Sequence, residues 1–259
     1  MMNLHFYKYQ GAGNDFILFD NRDGNIQFAN EQVAFLCDRK FGIGADGLML
    51  LEHASGYDFN MVYYNADGDT STMCGNGGRC ITAFAKKLSI ITDKADFLAV
   101  DGPHNSAFNS DGTISLHMQD VHEIHNFEDH VELNTGSPHY VCYVQDVNET
   151  DIFNTGRAIR NTAKYQPKGI NVNFVQRLND GIWVRTYERG VENETLSCGT
   201  GVTASAIAAS GNALGTFTTS IKTLGGMLQV SFEKDSATSA KNVILTGPAK
   251  FVYEGEIEL

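Results

Sequence analysis

Residues 198–209 read Cys-Gly-Thr-Gly-Val-Thr-Ala-Ser-Ala-Ile-Ala-Ala, so a cysteine and two glycines precede a run of small, mostly apolar residues. The run from Val202 to Ala209 predicts a helix, and a helix that is apolar all round is buried on every side. Gly211 stands just beyond the run and can supply a left-handed C-cap. The sequence therefore predicts a core helix that begins at a cysteine.

The same arrangement occurs earlier in the chain, where Cys74-Gly75-Asn76-Gly77 runs into helical periodicity from Ile81 to Leu88. A helix N-terminus leaves backbone N–H groups unpaired and carries partial positive charge, so it binds a carboxylate readily. A cysteine there has its thiol pKa lowered from about 8.5 toward neutrality. Two such ends facing each other would hold one carboxylate and place a sulfur on either side of its α-carbon. A base on one face and an acid on the other invert such a centre without a cofactor.

Short strand signals, separated by Gly, Asn and Asp turns, dominate the rest of the chain. The clearest are Phe16–Phe19, Leu48–Leu51, Phe59–Tyr63, Tyr140–Val144, Val172–Val175 and Ile182–Arg185, with Val243–Thr246 and Phe251–Tyr253 near the C-terminus. Two further helices are predicted over residues 31–40 and 151–163.

The two halves of the chain repeat these features at a near-constant offset. Tyr64 and Tyr187, each at the end of a predicted strand, stand 123 positions apart, and Cys74 and Cys198 stand 124 apart. Such an offset predicts two similar modules. Chance similarity of strand-turn-helix units is the alternative, and the paired cysteine motifs favour duplication. We expect residues 1–117 with 250–259 to form the module of Cys74, and residues 118–249 to form the module of Cys198.

Composition excludes some classes of partner. The chain has 259 residues and a net charge of −12, which argues against nucleic-acid binding because phosphate contacts need a basic surface. The N-terminal residues do not form a secretory signal, and no apolar run approaches the roughly 20 residues of a membrane span. The five cysteines are widely spaced, and an odd count without an export signal predicts reduced thiols in the cytoplasm.

The other cysteines have plainer explanations than catalysis. Cys37 and Cys142 lie on apolar faces and are interpreted as packing residues. Cys80 follows Cys74 by six positions, which is not a zinc spacing. A structural disulfide between Cys74 and Cys198 is disfavoured in the cytoplasm.

Two other patterns suggest a metal site and a cofactor site, but a plainer interpretation is favoured for each. His122, His125 and His130 lie in an acidic stretch, for which a solvated loop is favoured over a metal site. Residues 42–47 match the glycine fingerprint of dinucleotide-binding proteins, but the segment follows a helix and precedes a strand, which is the wrong context. We therefore expect no metal and no cofactor.

Eight segments, taken together, resemble the diaminopimelate epimerase family, and the resemblance covers essentially the whole chain. They are Gly11-Ala12-Gly13-Asn14-Asp15-Phe16, Gly42-Ile43-Gly44-Ala45-Asp46-Gly47, Asn65-Ala66-Asp67-Gly68, Cys74-Gly75-Asn76-Gly77-Gly78-Arg79-Cys80, Pro138-His139, Asn171-Val172-Asn173-Phe174, Glu188-Arg189-Gly190 and Cys198-Gly199-Thr200-Gly201. The two cysteine motifs alone would also fit a broader group that includes the proline racemases.

The resemblance implies an α+β fold of two pseudo-symmetric modules, each an antiparallel sheet wrapped around a central helix, with the active site in the cleft between them. It implies a homodimer that interconverts LL- and meso-diaminopimelate, in lysine and peptidoglycan precursor biosynthesis, with Cys74 and Cys198 as the acid–base pair. The substrate-binding residues that it implies are Asn14, Asn65, Gly75, Asn76, Asn171, Glu188, Arg189, Gly199 and Thr200. Ser137, His139 and Gly47 are candidate supporting residues, and a structural role is the alternative for His139.

Three departures from the family's pattern concern the substrate more than the reaction. Ser137 stands where many members have an asparagine, and Gly47 stands where some have a glutamine. The loop at residues 190–197 is one residue longer than usual. These differences leave open a racemase of another amino acid on the same scaffold. A thiol–disulfide redox protein is a further alternative, against which the absence of a Cys-x-x-Cys motif speaks. A non-catalytic binding module would leave the paired cysteines unexplained.

Overall fold

Four helices and seventeen strands form within the residues that the computed structural model describes, 3–71 and 73–259. The helices are α1 Asn30–Cys37, α2 Gly75–Lys87, α3 Ile152–Arg160 and α4 Gly199–Ala209, with a short 3-10 helix at Ala163–Tyr165. The strands are β1 Asn3–Gly11, β2 Asn14–Asp20, β3 Gly47–Glu52, β4 Phe59–Asn65, β5 Lys94–Ala99, β6 Gly102–Phe108, β7 Ile114–His117, β8 Ile124–Asn126, β9 Val131–Asn134, β10 Pro138–Tyr143, β11 Asn171–Leu178, β12 Gly181–Glu188, β13 Asn193–Thr195, β14 Gly215–Thr223, β15 Gly226–Lys234, β16 Lys241–Gly247 and β17 Lys250–Glu258.

These elements divide into two units. The first contains the chain up to Leu116 together with Gly247–Leu259, and the second contains His117–Thr246. The C-terminal strand β17 belongs to the first unit, where it pairs antiparallel with β1.

Both units repeat the same order of strand pairings. In the first unit β17–β1 and β1–β2 are antiparallel, β2–β3 is parallel, β3–β4 antiparallel, β4–β5 parallel, and β5–β6 and β6–β7 antiparallel. In the second unit the same order is found for β8–β9, β9–β10, β10–β11, β11–β12, β12–β14, β14–β15 and β15–β16. The short strand β13 adds to β12.

The prediction of purely antiparallel sheets is wrong, because each unit contains two parallel pairings. A helix lies between the strands of each parallel pair: α1 between β2 and β3, α2 between β4 and β5, α3 between β10 and β11, and α4 between β12 and β14. Parallel neighbours need a crossover connection, so the helices in the sequence impose this mixture.

The helices that begin at the two cysteines are the most deeply buried. In α4 the residues from Gly201 to Ala208 are all buried, and the helix packs against β9, β10, β11, β12, β14 and β15. In α2 the burial is heaviest over Gly75–Thr82, and this helix packs against β1, β2, β3 and β17. Basic groups lie near both C-terminal ends, Lys86 and Lys87 in α2 and the Lys234 ammonium, which donates to the Gly211 carbonyl beyond α4 at 2.5 Å. Cations there complement the helix dipole.

The predicted strands and helices correspond to observed elements, with shifted ends. The helix predicted over 31–40 ends at Cys37, because the Asp38 carboxylate accepts the backbone N–H groups of Lys40 and Phe41 and closes a turn. The helix predicted over 151–163 begins after Asp151, whose carboxylate caps the Asn154 N–H at 3.0 Å, and ends at Arg160. Gly211 takes the left-handed conformation expected of it, with φ of 57°.

No helix in the described part of the chain combines the length and the apolar character that crossing a membrane requires.

Candidate active site

Cys74 stands immediately before α2, in the N-cap position. Its backbone is extended, with φ of −98° and ψ of 130°, and its carbonyl accepts the Gly78 N–H at 2.7 Å. The next two residues, Gly75 and Asn76, are buried and form the first turn of the helix. The thiol therefore lies beside the backbone N–H groups that a helix leaves unpaired at its start.

An amide held in one orientation faces this thiol. Asn14, the first residue of β2, receives the Cys74 Sγ–H at 3.7 Å and the Asn76 Nδ2–H at 3.5 Å on its Oδ1. Its Nδ2 donates to Asp46 Oδ2 at 2.6 Å, and Arg39 donates to the other oxygen of Asp46 at 2.7 Å. A carboxylate can only accept, so this bond fixes which end of the amide faces the sulfur.

The residue after Asn14, Asp15, anchors the start of β2 through two charged partners. The Asp15 carboxylate forms ion pairs with Lys8 at 2.8 Å and with Arg39 at 2.6 Å. Burial pushes the pKa of Asp15 upward, but the hydrogen bonds and charges of Arg39 and Lys8 outweigh it and lower this pKa to about 2. The start of β2 is thus anchored by a carboxylate that stays ionised.

Gly47 and Asn65 lie opposite each other in the register of β3 and β4. A Cβ at Gly47 would lie 2.6 Å from the Tyr63 ring and 2.7 Å from the Tyr64 carbonyl oxygen, so a larger residue has no room there. The Tyr63 ring thus fills the space beside Gly47. Asn65 ends β4 and begins a tight turn in which its carbonyl accepts the Gly68 N–H at 3.0 Å.

Cys198 occupies the same position before α4 and is buried. Its Sγ lies 3.5 Å from Thr200 Oγ1, and its carbonyl accepts the Val202 N–H at 2.9 Å. A Cβ at Gly201 would approach Asn173 Oδ1 to 2.4 Å and Cys198 Sγ to 3.3 Å, so only glycine fits in this turn. Thr135, between β9 and β10, donates its hydroxyl to the Thr200 carbonyl at 2.9 Å and ties the first turn of α4 to the sheet.

Three N–H donors converge on the Ser137 hydroxyl. Arg189 donates from Nε at 3.3 Å and from NH2 at 3.1 Å, and Asn171 donates from Nδ2 at 3.0 Å. Asn171 Oδ1 in turn accepts the Arg189 backbone N–H at 2.9 Å. Ser137, which departs from the family's pattern, therefore joins Asn171 and Arg189, two residues of the predicted substrate site. Its contact with Arg189 uses the guanidinium edge that can pair with a carboxylate.

His139 follows Ser137 by two positions in β10 and is fully buried. Asn173 donates to its Nδ1 at 3.1 Å and to the Tyr140 carbonyl at 3.0 Å, and the Thr186 hydroxyl fixes the other end of the amide at 2.9 Å. The imidazole proton therefore sits on Nε2, a buried atom for which the described residues offer no hydrogen-bond partner. Burial, with the charge of Arg189 adding to it, lowers the pKa of His139 to about 3, so the ring is neutral at physiological pH.

Glu188 ends β12 and accepts the Thr195 hydroxyl at 3.0 Å. Thr195 belongs to β13, which forms within the long 190–197 loop and pairs with β12. This loop thus contributes a strand whose Thr195 hydroxyl bonds to the Glu188 carboxylate.

The other three cysteines are held as thiols. Burial raises the pKa of Cys37 and of Cys142 to about 12, and burial also raises the pKa of Cys80. All five cysteines are free. No cluster of metal-binding side chains occurs among the described residues. His130, from the acidic stretch, instead stacks on Phe127 and Tyr140 and bonds to Asp129 and Glu132.

The structure gathers most of the predicted site residues into three groups. The first unit contains Asn14 with Cys74, Gly75 and Asn76. The second unit contains Ser137 with Asn171 and Arg189, and, as a separate group at the start of α4, Cys198, Gly199 and Thr200. Asp46, Arg79 and Thr135 hold these groups in place and were not assigned roles from the sequence. Asp46 and Arg79 fall within the quoted motifs, whereas no local signal marks Thr135.

The comparisons with known proteins agree on a family. The family model described as diaminopimelate epimerase matches residues 6–122 and 131–252. A diaminopimelate epimerase of Flavobacterium psychrophilum is 50% identical over 98% of this chain and 100% of its own length. Another, of Chlorobaculum tepidum, is 39% identical over 96% of this chain and 99% of its own.

Solved structures show the same fold at low identity. A phenazine biosynthesis protein of the PhzF family from Bacillus anthracis superposes with a TM-score of 0.80 at 12% identity, covering 100% of both chains. A hydroxyproline epimerase from Agrobacterium vitis, with trans-4-hydroxy-L-proline bound, gives 0.72 at 14% identity, covering 99% of this chain and 93% of its own. These two structures show the fold alone. The family model and the two relatives matched in sequence show that the chain belongs to the diaminopimelate epimerase family.

Proposed function

We propose that this protein interconverts LL- and meso-diaminopimelate by proton transfer at one α-carbon, with the thiols of Cys74 and Cys198 as the two bases. Lysine and peptidoglycan precursor biosynthesis are the pathways that such a reaction serves. The observation that carries the proposal is that each of these cysteines occupies the N-cap position of a buried helix, whose N-terminus can bind an anion.

The reaction needs no electron acceptor. One cysteine, as the thiolate, takes the α-hydrogen as a proton, and the carbanion's charge spreads onto the α-carboxylate. The other cysteine, as the thiol, delivers its proton to the opposite face, so the two sulfurs exchange protonation states in each turnover. The first-turn N–H groups at Gly75, Asn76, Gly199 and Thr200 stabilise the carboxylate's developing charge, and each such donor is worth about 3–4 kcal/mol in a preorganised site. The thiols titrate as a coupled pair because they share one proton.

The remaining predicted residues hold the two amino-acid ends of the substrate. Arg189 pairs with the distal carboxylate through the edge that now contacts Ser137, and Glu188 pairs with an ammonium group. Asn14, Asn65 and Asn171 offer both amide donors and acceptors. His139 is a neutral supporting residue, in keeping with its burial.

We also infer that each unit is a sheet wrapped around one central helix, α2 in the first and α4 in the second. The burial of both helices and the strands that surround each of them support this description. The repeated order of strand pairings supports the proposed duplication, with module boundaries near residues 117 and 249.

We infer that the protein acts in the cytoplasm as a homodimer. Five free thiols suit a reducing compartment. The surface of β17 carries Phe251, Val252 and Tyr253, which are 43%, 51% and 43% exposed, and adjacent large apolar residues of this kind are typical of a protein interface.

Solvent-exchange measurements test the reaction. Incubated with LL-diaminopimelate in heavy water, the protein should place one deuterium on one α-carbon and yield the meso isomer, as followed by NMR and chiral chromatography. Cys74→Ser and Cys198→Ser should each lose inversion by at least about a hundredfold, since proton transfer by a positioned group contributes 10²–10⁴-fold.

Cys142→Ser is the matched control, because this free thiol is half-buried in β10 and has no role in the proposal. It should turn over at the wild-type rate. Full inversion by either active-site variant would sink the two-thiol mechanism.

A racemase of another amino acid is the second candidate. Ser137, and Gly47 with the Tyr63 ring beside it, are the observations that favour it, since both change the side chains that a substrate's distal end would meet. A panel of diaminopimelate, proline, hydroxyproline and glutamate, each assayed by deuterium uptake, decides between the two. Exchange of diaminopimelate alone supports the first candidate.

A further inference from the structure

Arg79, in the second turn of α2, is the largest fully buried side chain of the described residues and is 0% exposed. Its guanidinium donates to the Gly75 carbonyl at 3.0 Å, to Asn76 Oδ1 at 2.7 Å and to the Pro248 carbonyl at 3.4 Å. All three acceptors are neutral. A buried cation without an anionic partner is costly, because its desolvation is not offset by an opposite charge.

Within the described residues no carboxylate forms an ion pair with Arg79. The ionisable groups that act on it are the thiols of Cys80 and Cys74. Cys80 cannot supply a negative charge near neutral pH, because burial raises its pKa far above that range. Of these two thiols, Cys74 is the one that can supply an anion, and it lies one residue before the turn that Arg79 holds.

The contacts of Arg79 direct its charge toward that turn. By occupying Asn76 Oδ1, the guanidinium forces the Asn76 Nδ2 to point the other way, and this atom donates to Asn14 Oδ1 beside the Cys74 sulfur. By occupying the Gly75 carbonyl, it adds a full positive charge to the partial charge of the helix N-terminus. Both effects act on the place where an anion would bind.

We propose that Arg79 is a positioning residue whose buried charge stabilises the anions at the start of α2, the Cys74 thiolate and a carboxylate bound to the first-turn N–H groups. This inference rests on the proposed function for the identity of the carboxylate, but its effect on the Cys74 thiolate requires no substrate. An anion at the start of α2 compensates the charge of Arg79. The free-energy cost of burying that charge therefore favours formation of the anion.

Alkylation by iodoacetamide tests the proposal directly, because the thiolate is the reacting form. In Arg79→Met the alkylation of Cys74 at fixed neutral pH, followed by peptide mass spectrometry, should slow by about tenfold, with the labelling of Cys198 in the same sample as the internal reference. The value of kcat for epimerisation should fall by about 10- to 100-fold. Melting temperature should be kept or raised, since an apolar residue of similar volume often replaces a buried charge at no cost.

Two further variants separate charge from packing. Arg79→Lys keeps the positive charge without the planar guanidinium group. It should recover a large part of the Cys74 alkylation rate that is lost in Arg79→Met. Lys234→Met removes another buried cation, at the end of α4, and should leave Cys74 alkylation unchanged. If Arg79→Met does not fold, Arg79→Gln takes its place with the same expectation.

The proposal is overturned if a folded Arg79→Met or Arg79→Gln alkylates Cys74 at the wild-type rate, or if Arg79→Lys reacts as slowly as the neutral variants. Failure of the proposed function is seen separately, as absence of deuterium uptake from diaminopimelate by the wild-type protein.

Discussion

The amide of Asn14 shows how one residue is oriented by charges that never touch the thiol. Asp46 takes its Nδ2, and so its Oδ1 is turned toward the Sγ of Cys74. Exchanging the amide's oxygen and nitrogen would place a second acceptor against the Asp46 carboxylate, which is repulsive. The sequence motif Gly-Ala-Asp-Gly places Asp46 near the site, but its partner Asn14 lies 32 residues earlier, so this contact follows from the parallel pairing of β2 and β3.

Removing the carboxylate should loosen this amide. In Asp46→Ala the orientation of Asn14 is no longer enforced, and kcat should fall about fivefold, the equivalent of roughly 1 kcal/mol for a charge-assisted hydrogen bond that is partly exposed. Steady-state kinetics with LL-diaminopimelate measure the change. Asp20→Ala is the control, since Asp20 forms a comparable pair with Arg22 on the surface of the same unit and should leave kcat unchanged. Equal kinetics in the two variants would show that Asp46 does not position Asn14.

The helix N-termini are the elements that sequence predicts best. The order of cysteine, glycine and apolar residues is local, so it indicates both the start of α2 and α4 and the thiol at each cap. The contacts that hold each helix N-terminus in place come from residues that are distant in the sequence. Thr135 anchors α4 through the Thr200 carbonyl, 65 residues away, and a threonine near a turn carries no sign of so distant a partner.

The anchoring of α4 can be tested with isosteric changes. Thr135→Val removes the hydroxyl that holds the Thr200 carbonyl and should lower the free energy of unfolding by about 1 kcal/mol, as measured in urea. It should also lower kcat/KM by about three- to tenfold, because the first-turn N–H groups are no longer fixed for the carboxylate.

The matched control for the anchoring is Thr203→Val, which removes a hydroxyl bonded to the Gly199 carbonyl within α4 itself. It should cost similar stability without changing kcat/KM. Equal kinetic losses in both threonine variants would mean that α4 is not positioned through Thr135.

At the scale of the whole molecule, the near-constant offset between the halves of the sequence corresponds to an identical order of strand pairings in the two units. The strands and helices that have clear periodicity were predicted, whereas the parallel pairings were not. Pairing direction depends on how the crossover helices lead the chain back across the sheet, which composition and spacing do not specify. The strand β1 and the hairpin of β14 and β15 were not predicted either, although Leu228, Val230 and Phe232 alternate with polar residues in β15 and are buried.

The assembly state is a property of the whole molecule. A register shift between Lys8 and Tyr9 leaves Val252 without a partner, so Tyr253 pairs with Lys8 and Phe251 pairs with Tyr9. The two rings therefore lie on opposite faces of the sheet, and Tyr253 contacts Phe6 on its own face. If this face joins two copies, the interface is isologous, and a charge introduced there faces its own copy across the symmetry axis. Tyr253→Asp should therefore convert a dimer into a monomer, as measured by size-exclusion chromatography with light scattering.

Tyr143→Asp is the matched control for Tyr253→Asp. Tyr143 is 39% exposed, close to the 43% of Tyr253, but it lies on β10 of the second unit beneath the Arg177 guanidinium. The same substitution there should leave the mass at that of two chains. A monomeric wild-type protein would contradict the dimer itself. A Tyr253→Asp variant that remains dimeric at micromolar concentration would place the contact between copies elsewhere, because two like charges facing each other at the centre of an interface cost several kcal/mol of binding.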